Sequence, residues 1–325
     1  MPARVAGGAK MERDAAHPVQ PLPITTEQSQ VEQGLIDRLL AIRKSYAEHI
    51  MTLAGVASGT GIRSAITAAF ASIPREKFVE PPPWNLLSSA AEMPIISDDP
   101  VALYQNVLVP LGAGRGLNNG QPSLHALCMN ALAPTRGESV VHVGAGTGYY
   151  TAALAMLVGE TGKVDAYEIH PELARRAGAN LAEFPQVEVH CRSGAEGPLP
   201  DCDVLYVNAA APAPLAVWLD ALHPGGRLLF PLEAQGDSGE MLLVTRRTDG
   251  PYPARFLCGV QFVPCIGAQN ARAARALEAA FRKGNSNQVK WLYRNDQPDE
   301  SCWCAGPGWW LSTASQSRVS VPLSC

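Results

Sequence analysis

The run Val140-Val-His-Val-Gly-Ala-Gly-Thr-Gly-Tyr149, with Glu168 closing the next apolar stretch, constrains this chain more than any other segment. A short β-branched run reads as a buried strand. The glycines at 144, 146 and 148 then force a tight turn, because only a residue without Cβ lets the backbone turn sharply and approach a ligand closely. Tyr150 to Val158 reads as the helix that follows, and Val164 to Glu168 as a second strand. The carboxylate at its end is placed to accept hydrogen bonds from a ribose diol. Strand, glycine turn, helix, strand and acid in this register define a nucleoside-binding βαβ unit.

The glycine spacing narrows the nucleoside. A dinucleotide fingerprint needs G-x-G-x-x-G, with a helix N-terminus facing a pyrophosphate. Here Tyr149 stands where that third glycine would be, and the pattern is G-x-G-x-G. The compact form suits a ligand without a pyrophosphate, such as S-adenosylmethionine.

Composition excludes several classes of partner. With a net charge of −4 over 325 residues the chain lacks the basic surplus that nucleic-acid binding requires. No apolar run approaches the ~20 residues that span a bilayer, so no membrane is expected. The N-terminus carries scattered charges and no apolar h-region, which argues against a signal peptide. Eight cysteines are dispersed without a C-x-x-C pair or zinc-site spacing. A reducing cytoplasm and no metal are therefore expected.

Along the chain the elements sort into four parts. Residues 1–26 read as a disordered leader, poor in periodic apolar residues. Residues 27–137 form a helical N-terminal region, with helices expected over 27–53, 62–71 and 124–132 and an irregular loop ending in Asn118-Asn119-Gly120-Gln121. Long irregular loops inside compact proteins are usually functional. From 138 to 268 strands at 139–143, 164–168, 187–190, 203–207, 227–231 and 241–245 alternate with helices at 148–158, 171–182 and 213–222. That alternation predicts an α/β fold, a Rossmann-like doubly wound and mostly parallel sheet. Ligands on such sheets bind outside the carboxyl ends of the strands. Residues 269–325 read as a small aromatic-rich appendage, with a helix over 271–282 and strands at 289–293 and 302–312. Its tryptophans read either as core or as a docking surface.

The residues at this point resemble the protein-L-isoaspartate (D-aspartate) O-methyltransferase family of class I S-adenosylmethionine enzymes, over about Ile62 to Gly267. The resemblance rests on Ile73-Pro-Arg-Glu-Lys-Phe-Val79, Asn119-Gly-Gln-Pro122, Val143-Gly-Ala-Gly-Thr-Gly-Tyr-Tyr150, Ala209-Ala-Ala-Pro212, Leu222-His-Pro-Gly-Gly-Arg-Leu228 and Val260-Gln-Phe-Val-Pro-Cys-Ile-Gly267. It implies S-adenosyl-L-methionine as cofactor and methyl transfer to an isoaspartyl or aspartyl carboxylate of a protein or peptide. The implied cofactor contacts are Gln121, Gly144, Ala145, Gly146, Gly148, Tyr149, Glu168, Ile169, Ser193, Gly194 and Asn208. Asn118, Asn119, Gly120 and His125 fall on the acceptor side.

Three departures from the family pattern stand out. Its Gly-Asp-Gly segment corresponds to Arg192-Ser-Gly194, so Ser193 replaces an acid that contacts the adenine amino group. His142 replaces the acid before the glycine loop and reads as structural. Where the family carries Thr-Ile-Ser, with a hydroxyl close to the methyl-accepting carboxylate, this chain has Asn118-Asn119-Gly120. His125 reads equally as a pocket residue or a core histidine. Two alternatives therefore stay open: a methyltransferase of this fold with a different dedicated acceptor, and a binding scaffold that has lost catalysis. The oligomeric state is not legible in the sequence.

Overall fold

The computed structural model describes residues 26–88, 93–112, 116–234 and 239–316; the expected leader lies outside them except for Thr26. The chain divides into two compact units, residues 1–39 and 40–325. Within the first, residues 26–39 are helical and belong to α1 (Thr26–Leu53). The second unit continues with α2 (Gly61–Ser72), a hairpin of β1 (Trp84–Leu86) and β2 (Ile95–Ser97), and α3 (Pro122–Leu132). Thr60 caps α2 by accepting from the Arg63 N–H, and Pro122 opens α3 at a position where its missing N–H costs nothing.

The alternating region follows: β3 (Ser139–Val143), α4 (Tyr149–Val158), β4 (Lys163–Tyr167), α5 (Pro171–Asn180), β5 (Val187–His190), β6 (Cys202–Val207), α6 (Ala216–Ala221), β7 (Leu222–Leu232) and β8 (Gly239–Thr245). Then come β9 (Tyr252–Val260), α7 (Ala271–Lys283), β10 (Trp291–Arg294), β11 (Cys302–Gly306) and β12 (Trp309–Ser312). All ten strands from β3 onward make one sheet, in the order β11-β12-β10-β9-β8-β7-β6-β3-β4-β5.

The expectation of a parallel sheet holds for β5-β4-β3-β6-β7. From β8 outward every pairing is antiparallel, so the sheet as a whole is mixed. The chain leaves β3 towards β4 on one side and returns through β6 on the other. That reversal opens a crevice at the carboxyl end of β3, where ligands bind in open α/β sheets. β3 reads as a continuous apolar run because both its faces are covered: Val140, Val141, His142 and Val143 are all buried.

The C-terminal strands do not stand apart. β10 hydrogen-bonds to β9, and β12 and β11 follow it, so the aromatic tail extends the central sheet. Trp309 and Trp310 are buried, Trp310 stacking on Tyr293 at 4.2 Å. Trp303 packs against Phe256 of β9 and Phe281 of α7, at 5.3 and 5.2 Å between ring centroids. The tail tryptophans are thus packing residues, the first of the two sequence expectations. β9, which joins tail to sheet, has no counterpart in the sequence expectations. Its apolar residues do not alternate, and Pro253 and Gly259 lower its strand propensity, so its pairing with β8 decides its conformation.

Candidate active site

The glycine loop leaves β3 and folds back on the end of β4. The N–H groups of Gly144 and Ala145 both donate to the Tyr167 carbonyl, at 2.8 and 3.1 Å. The Gly146 N–H donates to Glu168 Oε2 at 2.8 Å, and the His170 N–H to Glu168 Oε1 at 2.9 Å. Glu168 therefore organises the loop as well as facing the crevice. At Gly144 φ is +78°, and a Cβ there would come within 3.1 Å of the Asn208 carbonyl oxygen. Only glycine satisfies both conditions.

Two adjoining cavities meet at this loop. The smaller, about 390 Å³, is walled by Tyr167, Glu168, Ile169, His170, Arg192, Ser193 and Gly194. The larger, about 670 Å³, is walled by Asn118, Asn119, Gly120, Gln121, His125, Ala145, Tyr149, Tyr150 and the segment from Gly259 to Pro264. Gly144, Gly146 and Asn208 border both. Both volumes suit small-ligand sites.

The structure thus brings together fourteen of the fifteen residues expected at the site. Gly148 is the exception. It lines neither cavity, and its missing side chain makes room for Leu181, whose Cδ1 would lie 2.8 Å from a Cβ. Glycine is needed there for packing and because φ is +97°. Tyr149, Ala145 and Gln121, expected on the cofactor, line only the larger cavity.

Ser193 is committed to the fold. Its hydroxyl donates to the Ile266 carbonyl at 2.7 Å and accepts from the Ala195 N–H at 3.1 Å, tying the 260–267 segment across the smaller cavity. Arg192 and Tyr167, which the sequence did not single out as contacts, form part of the same wall, the guanidinium 4.8 Å from the ring centroid. No local pattern marks that stacking, because it depends on the register between β4 and β5.

At the larger cavity the two asparagines hold the loop. Asn119 Oδ1 accepts from the Val109 N–H at 2.8 Å, and the Asn119 N–H returns a bond to the Val109 carbonyl at 3.0 Å. Asn118 Oδ1 accepts from the Gly120 N–H at 2.9 Å. Any hydrogen bond these side chains donate to an acceptor carboxylate must therefore come from their NH2 groups, which have the right polarity for it.

His142 is fully buried. Its Nδ1 lies 2.9 Å from Thr151 Oγ1 and its Nε2 2.7 Å from Asn208 Nδ2. An amide nitrogen only donates, so Nε2 accepts and the ring proton sits on Nδ1. His142 thereby fixes the Asn208 amide where the cavities meet. Burial pushes its pKa down to about 3. Because a free histidine titrates near ~6.5, the unfolded chain binds a proton that the folded chain refuses as pH falls below that value. Stability is therefore complete above about pH 6.5 and declines towards about 3, by roughly 3 kcal/mol at about pH 4.5 from this residue alone. Burial shifts His125 in the same direction. Urea denaturation as a function of pH should show this acid limb, and His142→Gln should flatten it. A limb of unchanged depth in the variant would refute the assignment.

A strand, glycine loop, helix and a cavity-lining acid at the end of the next strand, at the switch point of this sheet, define a class I S-adenosylmethionine-dependent methyltransferase. The family model for protein-L-isoaspartate(D-aspartate) O-methyltransferase matches residues 55–270, and the chain belongs to that family. Relatives include protein-L-isoaspartate O-methyltransferase 2 of Marinobacter nauticus, 34% identical over 63% of this chain and 85% of its own length. A protein-L-isoaspartate O-methyltransferase of a Roseiflexus species is also 34% identical, over 66% of this chain and 90% of its own. Among solved structures, a protein-L-isoaspartate O-methyltransferase shares the fold with a TM-score of 0.56 at 23% identity, covering 76% of this chain and 69% of that one. A Plasmodium falciparum chain in complex with S-adenosyl-L-homocysteine has a TM-score of 0.54 at 17% identity, covering 69% of this chain and 98% of that one.

Proposed function

We propose that the protein methylates the side-chain carboxylate of an isoaspartyl residue in a protein or peptide. The juxtaposition of two cavities at Gly144 and Asn208 carries this reading: one has the acid and walls for an adenosyl group, the other has room for a peptide residue. S-adenosylmethionine supplies a methyl group on a sulfonium, which departs as a neutral thioether when a carboxylate oxygen takes the methyl. The acceptor is already ionised at neutral pH, so the chain needs no general base. Its task is alignment, which can be worth effective molarities of about 10⁵–10⁸ M. Glu168 holds the ribose end, Gly144 and Gly146 let the backbone approach, and Asn208 stands at the junction. Asn118, Asn119, Gly120 and His125 border the acceptor.

We assign the protein to a reducing cytoplasm. All seven cysteines among the described residues are free thiols, and no described helix is long and apolar enough to cross a membrane.

The deciding assay offers radiolabelled S-adenosylmethionine with an isoaspartyl peptide, the matching aspartyl peptide or a cell lysate. Base-labile label on the isoaspartyl peptide alone is the expected result. Label in the lysate but on neither peptide would show a different dedicated acceptor, the reading that the Asn118-Asn119-Gly120 loop favours. Absence of cofactor binding by calorimetry would leave a scaffold.

A further inference from the structure

We infer that the outer face of the β1–β2 hairpin is a docking platform for an extended aliphatic segment of the methyl acceptor, running outward from the larger cavity. The inference rests on the peptide carboxyl-methylating function proposed above and adds a substrate preference to it.

The stretch between Val79 and Asn119 holds none of the segments on which the family resemblance rests, so its form has to be read from this chain alone. Side chains of a strand alternate between faces, and paired residues share a face. β1 pairs with β2 through Trp84–Ser97, Asn85–Ile96 and Leu86–Ile95. The pairing continues past β1. Leu87 and Leu108 exchange two backbone hydrogen bonds, both of 2.9 Å, and Pro110 pairs with Asn118. This register sorts the residues into two faces. Trp84, Leu86, Val107 and Val109 turn inward, where they form a small buried cluster with Val79 and Leu103. Ile96, Leu87, Leu108, Pro110 and Asn118 turn outward together.

The outward row is the anomaly. The inward face already supplies a core, yet Ile96 is 70% and Leu87 36% exposed, with Leu108 and Pro110 half-buried beside them. Contiguous exposed aliphatic surface marks an interaction site. The row is also continuous with the site, because Leu108 and Asn118 at its inner end wall the larger cavity. Adjacent strands lie ~4.8 Å apart, so three spacings carry the row about 14 Å from Asn118 out to Ile96, the reach of about four extended residues.

That continuity selects the occupant. A peptide whose isoaspartyl residue enters the cavity must leave it along the surface, and this row is an apolar surface that begins at the cavity wall. A chain following it crosses the strands instead of running beside them, so it cannot share their backbone hydrogen bonds. Contact is side chain on side chain, which favours aliphatic bulk over any one sequence.

Methylation kinetics with the full-length protein test this on three isoaspartyl peptides. One is flanked by serines, one has leucines at the third and fourth positions before the acceptor, and one has them at the same positions after it. One of the two leucine peptides should show a KM about tenfold below that of the serine peptide at similar kcat, the effect of withdrawing one branched aliphatic side chain from water. Ile96→Ser changes an exposed position and leaves the inward core intact. In that variant the advantage should shrink to about twofold or less, with S-adenosyl-L-homocysteine affinity unaltered.

Equal KM for all three peptides in the wild type would overturn the platform and leave the methylating function standing. An advantage retained in full by Ile96→Ser would overturn it too. So would sedimentation that finds a dimer in the wild type and a monomer in Ile96→Ser, since the face then serves a second copy of the chain. Wild-type protein that binds S-adenosyl-L-homocysteine yet labels no isoaspartyl peptide would remove the underlying function, and this inference with it.

Discussion

Glu168→Gln should weaken S-adenosyl-L-homocysteine binding by a hundredfold or more in calorimetry, although it changes a single atom. Each carboxylate oxygen already accepts a backbone N–H, from Gly146 at 2.8 Å and from His170 at 2.9 Å, while the residue is 5% exposed. A glutamine must turn its NH2 towards one of those donors. One oxygen of the pair is then lost, and a buried N–H faces another N–H with little water to intervene. The charge that strengthened both bonds is gone as well. Hydrogen bonds to charged groups contribute about 1.5–3 kcal/mol each, so losing one together with the proposed contact to the ribose amounts to roughly 3 kcal/mol or more. At 1.4 kcal/mol per tenfold that is about two orders of magnitude in Kd. The Gly146 peptide, released from its acceptor, also leaves the position that shapes the crevice. Glu168→Asp keeps the charge but withdraws it from the loop, and should fall between wild type and Gln. A loss under fivefold for Gln would mean that the acid serves the loop and not the ligand.

The parallel half of the sheet was legible because its signals are local. Apolar runs bounded by glycine and proline placed β3, β4, β5 and β6 to within a residue or so. The start of β7 was not, since Leu222-His-Pro-Gly-Gly reads as a turn; β7 opens five residues before the expected strand, through a register shift against β6. The glycine loop and Glu168 were legible for the same local reason, and so was the irregular segment Asn118-Asn119-Gly120 that borders the larger cavity. What escaped was everything set by pairing between distant segments. β9, the docking of the tail through β10, the Arg192–Tyr167 stack and the Ser193 tie to Ile266 each depend on a partner with no sequence proximity. Gly148 shows the converse error of treating a motif as uniformly functional: two glycines border the cavities, and the third makes space for Leu181. His142 was expected to be structural, and it is buried, yet its ring also orients Asn208 at the cavity junction.

Arg75→Met should destabilise the protein by about 3–5 kcal/mol in urea denaturation, the cost of breaking a buried charged network. Arg75 is 1% exposed and spreads its guanidinium over three carbonyls: Leu103, Gln105 at 2.9 Å and Val107 at 3.2 Å. Its charge also lies 5.6 Å from the ring centroids of both Tyr46 and Tyr149. Methionine fills much of the volume but leaves those carbonyls without a donor, at about 1–3 kcal/mol for each one that stays buried. Arg75→Lys should recover little, because one ammonium on a flexible stem cannot reproduce a planar fork reaching three acceptors. The consequence extends to the site. The segment that Arg75 pins runs directly into Val109, which exchanges backbone and side-chain hydrogen bonds with Asn119. Loosening residues 103–107 therefore loosens the acceptor loop while the glycine loop keeps its own support from Glu168 and Tyr167. At a temperature where the variant remains folded, KM for an isoaspartyl peptide should rise several-fold with S-adenosyl-L-homocysteine affinity nearly unchanged. Equal weakening of both ligands would show instead that Arg75 supports the fold as a whole and has no selective hold on the acceptor side.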